Sequence, residues 1–411
     1  MTMQRVVITG LGAISSLGVG ADRNFEQALA GHSGIGLLQL GGDRQRPDTP
    51  AAQIRGPLPE LVKNSELPIF DRFSLLGWAA ASEALAQSGL DATVAPERSG
   101  VFWGSGMGGA GTVESGYVDL FVDGKTRVRP MSVVAGMTNA AAAQIALRCG
   151  FKGSVNNYSS ACVSSAQAIG EAYRHIRHGY ADRVLAGGSE ALLCYGVVTA
   201  WDSLRVLAPF DAEHPERSCR PFSAGRGGLV LGEAGAAVML ESLESAQRRG
   251  ATILAELAGY GASNDATHIT KPDADGQARA MAMALRHAGL DGADIGYINA
   301  HGAGTAAGDL AESQSIRKAL GAAADKVQVS STKSMHGHTL GAAGALEFVM
   351  TVQALASGSL PPTAFLEQPD PQCDLDFIPL KARHGQSMLA AMSNSFAFGG
   401  SNVSLIVRQF N

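Results

Sequence analysis

One short grammar recurs along the chain: an apolar run of strand length, a glycine-rich loop, and a helix. It appears at residues 5–9, with Gly10-Leu11-Gly12 and a helix expected over 21–30, and again at 99–103, leading into Gly104-Ser105-Gly106-Met107-Gly108-Gly109. Further runs lie at 183–188 and 234–240. A second series starts near residue 253, with runs at 296–300, 327–331, 389–393 and 403–408 and helices expected over 276–288 and 341–356. Helices are also expected over 70–89 and within 131–149, while 41–59, rich in Gly, Pro and Asp, reads as an irregular surface loop. Buried strands alternating with helices predict an α/β fold. The two series predict two similar halves, residues 1–253 and 254–411.

The most reactive residue type in this pattern stands at a loop-to-helix junction, Asn157-Tyr158-Ser159-Ser160-Ala161-Cys162-Val163-Ser164-Ser165-Ala166. Ser159 and Ser160 are suited to capping a helix that continues to about residue 178. N–H groups of a first helical turn have no partner within the helix, and the helix dipole is positive there. Both favour a thiolate, so Cys162 is expected below the ordinary thiol pKa of about 8.5. Taken alone, the stretch fits a buried structural cysteine as well as a nucleophile.

Composition narrows the field. Hydrophobic residues make up 45% of the chain and charged ones only 17%, so a large core and a surface partly covered by an oligomeric partner are expected. A net charge of −5 argues against nucleic acid as a partner. The 5 cysteines (Cys149, Cys162, Cys194, Cys219 and Cys373) are scattered with no Cys-x-x-Cys pair, which points away from disulfides or zinc and toward a reducing, cytoplasmic setting. Arg5 leads straight into a strand-like run rather than a leader, and no apolar run approaches membrane-spanning length, so no membrane association is expected. Gly10-Leu11-Gly12 is a weak dinucleotide signal that lacks the third glycine and the acidic strand end, and no cofactor is expected.

Three further stretches repeat the exit from strand to glycine-rich loop. Asn299-Ala300-His301-Gly302-Ala303-Gly304-Thr305 is followed by Asp309 and Glu312. Ser331-Thr332-Lys333-Ser334-Met335-His336-Gly337-His338 precedes a helix carrying Glu347, a plausible partner for Lys333. Ser393-Asn394-Ser395-Phe396-Ala397-Phe398-Gly399-Gly400-Ser401-Asn402 is the third. Open α/β sheets gather ligands beyond the carboxyl ends of their strands, so these stretches and Cys162 are expected to converge. Met107, in the earlier glycine-rich loop, is expected to point into the same pocket. His336-x-His338 is half a metal pair, but no other ligand cluster accompanies it, and no metal is expected.

With these motifs in this order, the chain resembles the β-ketoacyl-(acyl-carrier-protein) synthases of the KAS I/KAS II type over essentially its whole length. The resemblance implies a thiolase-like fold: duplicated α/β halves in a five-layered αβαβα core. It implies decarboxylative condensation of an acyl-Cys162 enzyme with malonyl carrier protein, extending the chain by two carbons. Cys162 is then the nucleophile, His301 and His338 hold the malonyl thioester carbonyl, and the N–H groups of Cys162 and Phe398 form an oxyanion hole. Lys333 with Glu347 supports His338, Asp309 and Glu312 support the His301 loop, and Phe398 gates the nucleophile. Thr305, Met107, Phe396 and Gly399 would line the acyl or pantetheine path, and Arg127 and Arg205 would meet the carrier. The implied partners are an acyl carrier protein and a second subunit, either a homodimer or a chain-length-factor-like chain.

Some positions depart from the family pattern: Ala303 replaces a usual Thr, Ala397 a usual Gly, His336 a common Thr, and Arg226-Gly227-Gly228-Leu229 a commoner Arg-Asp-Gly-Phe. Ser65-Glu66-Leu67-Pro68-Ile69-Phe70-Asp71-Arg72 is poor in the positive charge that usually meets the carrier. Fatty-acid elongation and a type II polyketide or polyene pathway therefore both stand as expectations. Two rivals from other classes are a cysteine hydrolase and a non-catalytic partner subunit.

Overall fold

The computed structural model describes residues 3–41, 46 and 48–410. Ten strands form its main sheet: β1 (Val6–Ser15), β2 (Ser99–Gly104), β3 (Val155–Tyr158), β4 (Arg183–Glu190), β5 (Ala234–Ser242), β6 (Ala255–Asn264), β7 (Ile295–Asn299), β8 (Gln328–Ser330), β9 (Ala390–Phe396) and β10 (Ser401–Arg408). Their order is β8-β7-β9-β10-β6-β1-β5-β4-β2-β3, and an eleventh stub, Gly18–Val19, pairs with β1. The path is one pattern used twice. From β1 outward the pairings are antiparallel, antiparallel, parallel, parallel, and from β6 outward they are the same. The two patterns meet where β1 and β6 pair antiparallel at Val7↔Glu256 and Ile8↔Ala255.

Seven helices bear on the site: α1 (Arg72–Ser88), α2 (Ala110–Phe121), α3 (Ser164–Arg177), α4 (Tyr195–Ser203), α5 (Ala274–Ala288), α6 (Ala306–Leu320) and α7 (Ala343–Ser357). Local chemistry sets their ends. The Asp71 carboxylate accepts from Phe73 N–H at 3.0 Å to start α1, and Gly89, at φ 61°, stops it. Asp273 and Thr305 cap α5 and α6 in the same way, each contact contributing about 1 kcal/mol. Helices α3 and α7 pack on each other between the two sheet halves, α1 covers β1 and β5, and α5 with α6 covers β6 and β10. The layers therefore run αβαβα, as the resemblance implied.

Helix α7 is buried on nearly every side. With the turn before it, Leu340–Ser357 is an 18-residue helical stretch apolar enough to cross a membrane, longer than the sequence reading allowed for, and it is 83% buried in the protein core. The expected loop at Gly10-Leu11-Gly12 is absent, because β1 runs straight through it. A Cβ on Gly10 or Gly12 would lie 2.0 Å from the carbonyl oxygens of Ala84 or Ala80 on α1, so these glycines let a helix press onto a strand. Of the expected loop at 41–59, residues 42–45 and 47 lie outside the described residues, and Pro50–Ala52 forms a short strand with Gly36–Leu37 and Leu231–Gly232.

Candidate active site

Chain direction brings four strand exits to one end of the sheets. After β3 the backbone turns through Ala161 at φ 50°, a left-handed conformation that costs a β-carbon residue about 1 kcal/mol or more. A 3-10 turn, Ala161–Val163, then leads into α3. Cys162 thus rides a sharp elbow at a helix start, as expected. Ser159 and Ser160 do not cap that helix: their hydroxyls donate to Gly106 O (3.2 Å) and Gln167 Oε1 (2.5 Å). Ser164 instead accepts from Ser160 N–H at 2.9 Å and donates to Ala161 O at 2.6 Å, tying the elbow closed.

Cys162 borders a cavity of about 190 Å³ that His301, His338, Thr305, Phe396 and Phe398 also line. The Phe398 N–H hydrogen-bonds the sulfur. The two imidazoles meet edge to face, ring centroids 5.2 Å apart at 83°. Burial, with Lys333 close by, holds both well below the ordinary histidine pKa, so both rings are neutral. The Nδ1 of His338 accepts from Leu340 N–H at 3.3 Å, which leaves its proton on Nε2. No hydrogen bond meets His301 Nδ1.

The expected fall in the Cys162 pKa is not found. Burial pushes the thiol up to about 12, and the opposing pull of Lys333 and the Phe398 N–H does not reverse it. The helix-start argument left out the apolar lining, which withholds water from a bare sulfur anion. At rest, then, Cys162 is a thiol beside neutral imidazoles.

Behind the histidines stand buried carboxylates. Glu312 accepts from His301 N–H (2.8 Å) and Gly302 N–H (2.7 Å), and Asp309 from Gly304 N–H (3.1 Å) and Phe222 N–H (2.7 Å). Both therefore grip the His301 loop from α6. Burial raises Glu312 to about 7 and Asp309 to about 6. Lys333 and Glu347 form an ion pair with both side chains 0% exposed, and desolvation raises the Glu347 carboxyl. Both ring nitrogens of His336 are occupied within its own turn, by Gly337 O (2.8 Å) and Thr332 Oγ1 (2.9 Å), so it forms no pair with His338.

Two expected lining residues sit elsewhere. The Met107 side chain is 43% exposed, in an open apolar groove with Val113, Tyr117, Phe121 and Tyr195 along α2 and α4. Its backbone is pinned by Glu190, and that turns the side chain away from Cys162. Gly399 lies in the gate loop at φ 86°, with its N–H donated to Ile269 O at 2.7 Å, while Gly400 and Phe398 border the cavity. Arg127 and Arg205 are exposed.

Several participants escaped the sequence reading. Trp201, on α4, stacks on Phe398 with centroids 5.9 Å apart and planes 19° from parallel. The segment 269–272 forms one wall of the cavity, and Asp265 there accepts from Asn402 Nδ2 at 2.6 Å. Nothing in their local sequence marks them, since each acts through distant packing. Glu190 has a sequence signal in hindsight: a carboxylate closing an apolar strand between Gly-Gly-Ser and Ala-Leu-Leu.

Comparison with known proteins agrees with this geometry. The β-ketoacyl synthase N-terminal domain matches residues 3–246 and its C-terminal domain residues 254–367. A nodulation protein E of Rhizobium sp. (strain N33) is 43% identical over 411 residues, covering 99% of each chain. A 3-oxoacyl-[acyl-carrier-protein] synthase 2 of Coxiella burnetii is 40% identical over 412 residues, again covering 99% of each. Among solved structures, a type II polyketide ketosynthase in complex with its acyl-carrier protein superimposes with a TM-score of 0.89 at 32% identity, covering 100% of both chains. By sequence, by fold and by the arrangement of Cys162, His301 and His338, the chain belongs to the β-ketoacyl synthase family of condensing enzymes.

Proposed function

We propose that this chain condenses an acyl group held on Cys162 with malonyl carrier protein. The carrying observation is that a sulfur receiving the Phe398 N–H shares one cavity with two neutral imidazoles. The Cys162 thiol attacks the acyl thioester, the thiol proton passes to an imidazole, and the carrier thiol leaves with a proton. The N–H groups of Cys162 and Phe398 hold the oxyanion of this step. Malonyl carrier then enters, and Nε2–H groups of His301 and His338 donate to its thioester carbonyl. As carbon dioxide leaves, the electron pair collects on that oxygen as an enolate, where two aimed donors are most effective. The enolate carbon attacks the Cys162 thioester and expels the thiolate, which takes up a proton. Thr305 and Phe396 flank the path, Lys333 with Glu347 fixes the His338 turn, and Arg127 and Arg205 meet the acidic carrier.

Fatty-acid elongation is the first reading, supported by the 3-oxoacyl-[acyl-carrier-protein] synthase 2 relatives. A second reading, a ketosynthase of a type II polyketide or polyene pathway, is supported by the likeness to the type II polyketide ketosynthase and by the 65–72 segment, where Arg72 stands against Glu66 and Asp71. In either case the exposed apolar groove on α2 suits cover by a second subunit, a copy of this chain or a chain-length-factor-like partner. Incubation with acyl and malonyl carrier proteins, followed by mass analysis, tests the proposal. A β-ketoacyl product two carbons longer is expected. Free acid without it means a hydrolase, and no acyl label on Cys162 means a non-catalytic subunit.

A further inference from the structure

We propose that Glu190 is a positioning residue for His338, acting across the boundary between the two halves; the proposal rests on the condensing reading above. Glu190 ends β4 and is fully buried. Its Oε1 accepts from Ser105 Oγ (3.1 Å) and Met107 N–H (3.2 Å), and its Oε2 from Gly106 N–H (2.6 Å) and Gly341 N–H (3.1 Å). Three of these donors belong to its own half. The fourth, Gly341, lies in the turn Leu340–Ala342 of the other half, in the peptide unit next to the Leu340 N–H that holds His338 Nδ1.

That turn does not hold its shape unaided. Leu340 sits at φ 45°, a conformation a leucine avoids, so an outside contact must fix it. The fit at Gly341 is close: a Cβ there would meet Glu190 Oε2 and Gly106 N, each at 2.4 Å. Burial raises the Glu190 carboxyl to about 7, the four donors favour its ionised form, and charge-assisted bonds to backbone N–H groups are about twice as strong as neutral ones, which suits Glu190 to the task. Glu190 thus aims the Leu340 N–H at His338, and that bond keeps the imidazole proton on Nε2, facing the cavity. Glu190 does not border the cavity at Cys162, and both its oxygens are taken up by these donors.

The test separates the two half-reactions in the full-length protein. Glu190→Ala is expected to slow malonyl decarboxylation about 10²-fold, the size of losing one aimed donor, while acyl uptake by Cys162 changes less than about threefold. The loss is expected in kcat rather than KM. Glu190→Gln can keep its oxygen toward Gly106 and Gly341 and turn its NH₂ toward Ser105 Oγ, giving up the Met107 N–H bond but not the one to the turn, so it is expected within about fivefold of wild type. Should Glu190→Ala not fold, Gly341→Ala pushes the turn off Glu190 and is expected to give the same split. Nitrogen NMR of labelled histidine gives a readout independent of turnover: His338 protonated on Nε2 in wild type, a tautomer mixture in Glu190→Ala. An unchanged His338 tautomer, equal losses in both half-reactions, or Gln behaving like Ala would overturn the assignment. A wild-type protein with the expected tautomer but no condensation would instead sink the functional reading and leave this one standing.

Discussion

The segments after β3 and after β8 occupy matching places in the repeated strand order, yet they do opposite work. After β3 the chain turns once, at Ala161, and spends the start of α3 on the buried thiol of Cys162. After β8 it makes a longer excursion through Lys333, His336 and His338 before α7 begins, and spends that excursion on a buried ion pair and an imidazole. The loops after β2 and β7 diverge likewise. One is gripped by Glu190 and sends Met107 outward, while the other is gripped by Glu312 and keeps His301 at the cavity. On the proposed reaction, a single scaffold used twice thus gives acyl capture to one half and enolate stabilisation to the other. Two identical halves could not do this, since nucleophile and oxyanion donors must face each other across one space.

The largest effect that breaks the comparison is in the nucleophile. Cys162→Ala is expected to abolish acyl uptake and condensation while malonyl decarboxylation continues, read by acyl labelling and carbon dioxide release. His301→Ala or His338→Ala should do the reverse, lowering decarboxylation about 10²- to 10³-fold while acyl uptake is retained through the imidazole that remains to take the thiol proton. If either substitution stopped both half-reactions equally, the division of labour would be wrong.

Next in size is the buried pair of the second half. Lys333→Met leaves the Glu347 carboxylate alone in the core and is expected to cost about 3–5 kcal/mol, measured by denaturant unfolding. Replacing both partners with apolar residues should recover much of that stability but not the activity, because the positive potential beside His338 is lost.

A smaller effect sharpens the view of the resting sulfur. With the thiol pushed up to about 12, the thiolate fraction rises with every step in alkalinity below that value. Alkylation of Cys162 by iodoacetamide should therefore climb about tenfold per pH unit between about pH 7 and 10. A plateau below about pH 8 would show an activated thiolate instead. Smallest of all, Trp201→Leu removes the stack on Phe398 and about 1 kcal/mol, expected as a few-fold change in acyl-chain preference rather than a loss of turnover.

Much of this was legible in the sequence, for a physical reason. Strand exits at glycine-rich loops must gather at one end of a parallel arrangement, so the convergence of Cys162, His301, Lys333, His338 and Phe398 followed from order and spacing. What failed depended on long-range packing. Gly10 and Gly12 read as a loop because the helix pressing on them, α1, lies some seventy residues away. Met107 was assigned to the cavity because its direction is set by Glu190, a residue of another strand. The thiol was expected to be acidic because a helix start is visible in sequence, whereas the apolar lining brought by α4, by Leu229 ahead of β5 and by the loop around Phe398 is not.

The position of β10 bears on how the protein is made. It enters between β9 and β6, both already synthesised when it emerges, so the second half cannot close until it is made. Until then the apolar face of α5 that packs on β10 stays bare to water or to a chaperone. A ribosome stalled ahead of β10 should therefore carry a nascent chain that a chaperone or a hydrophobic dye binds.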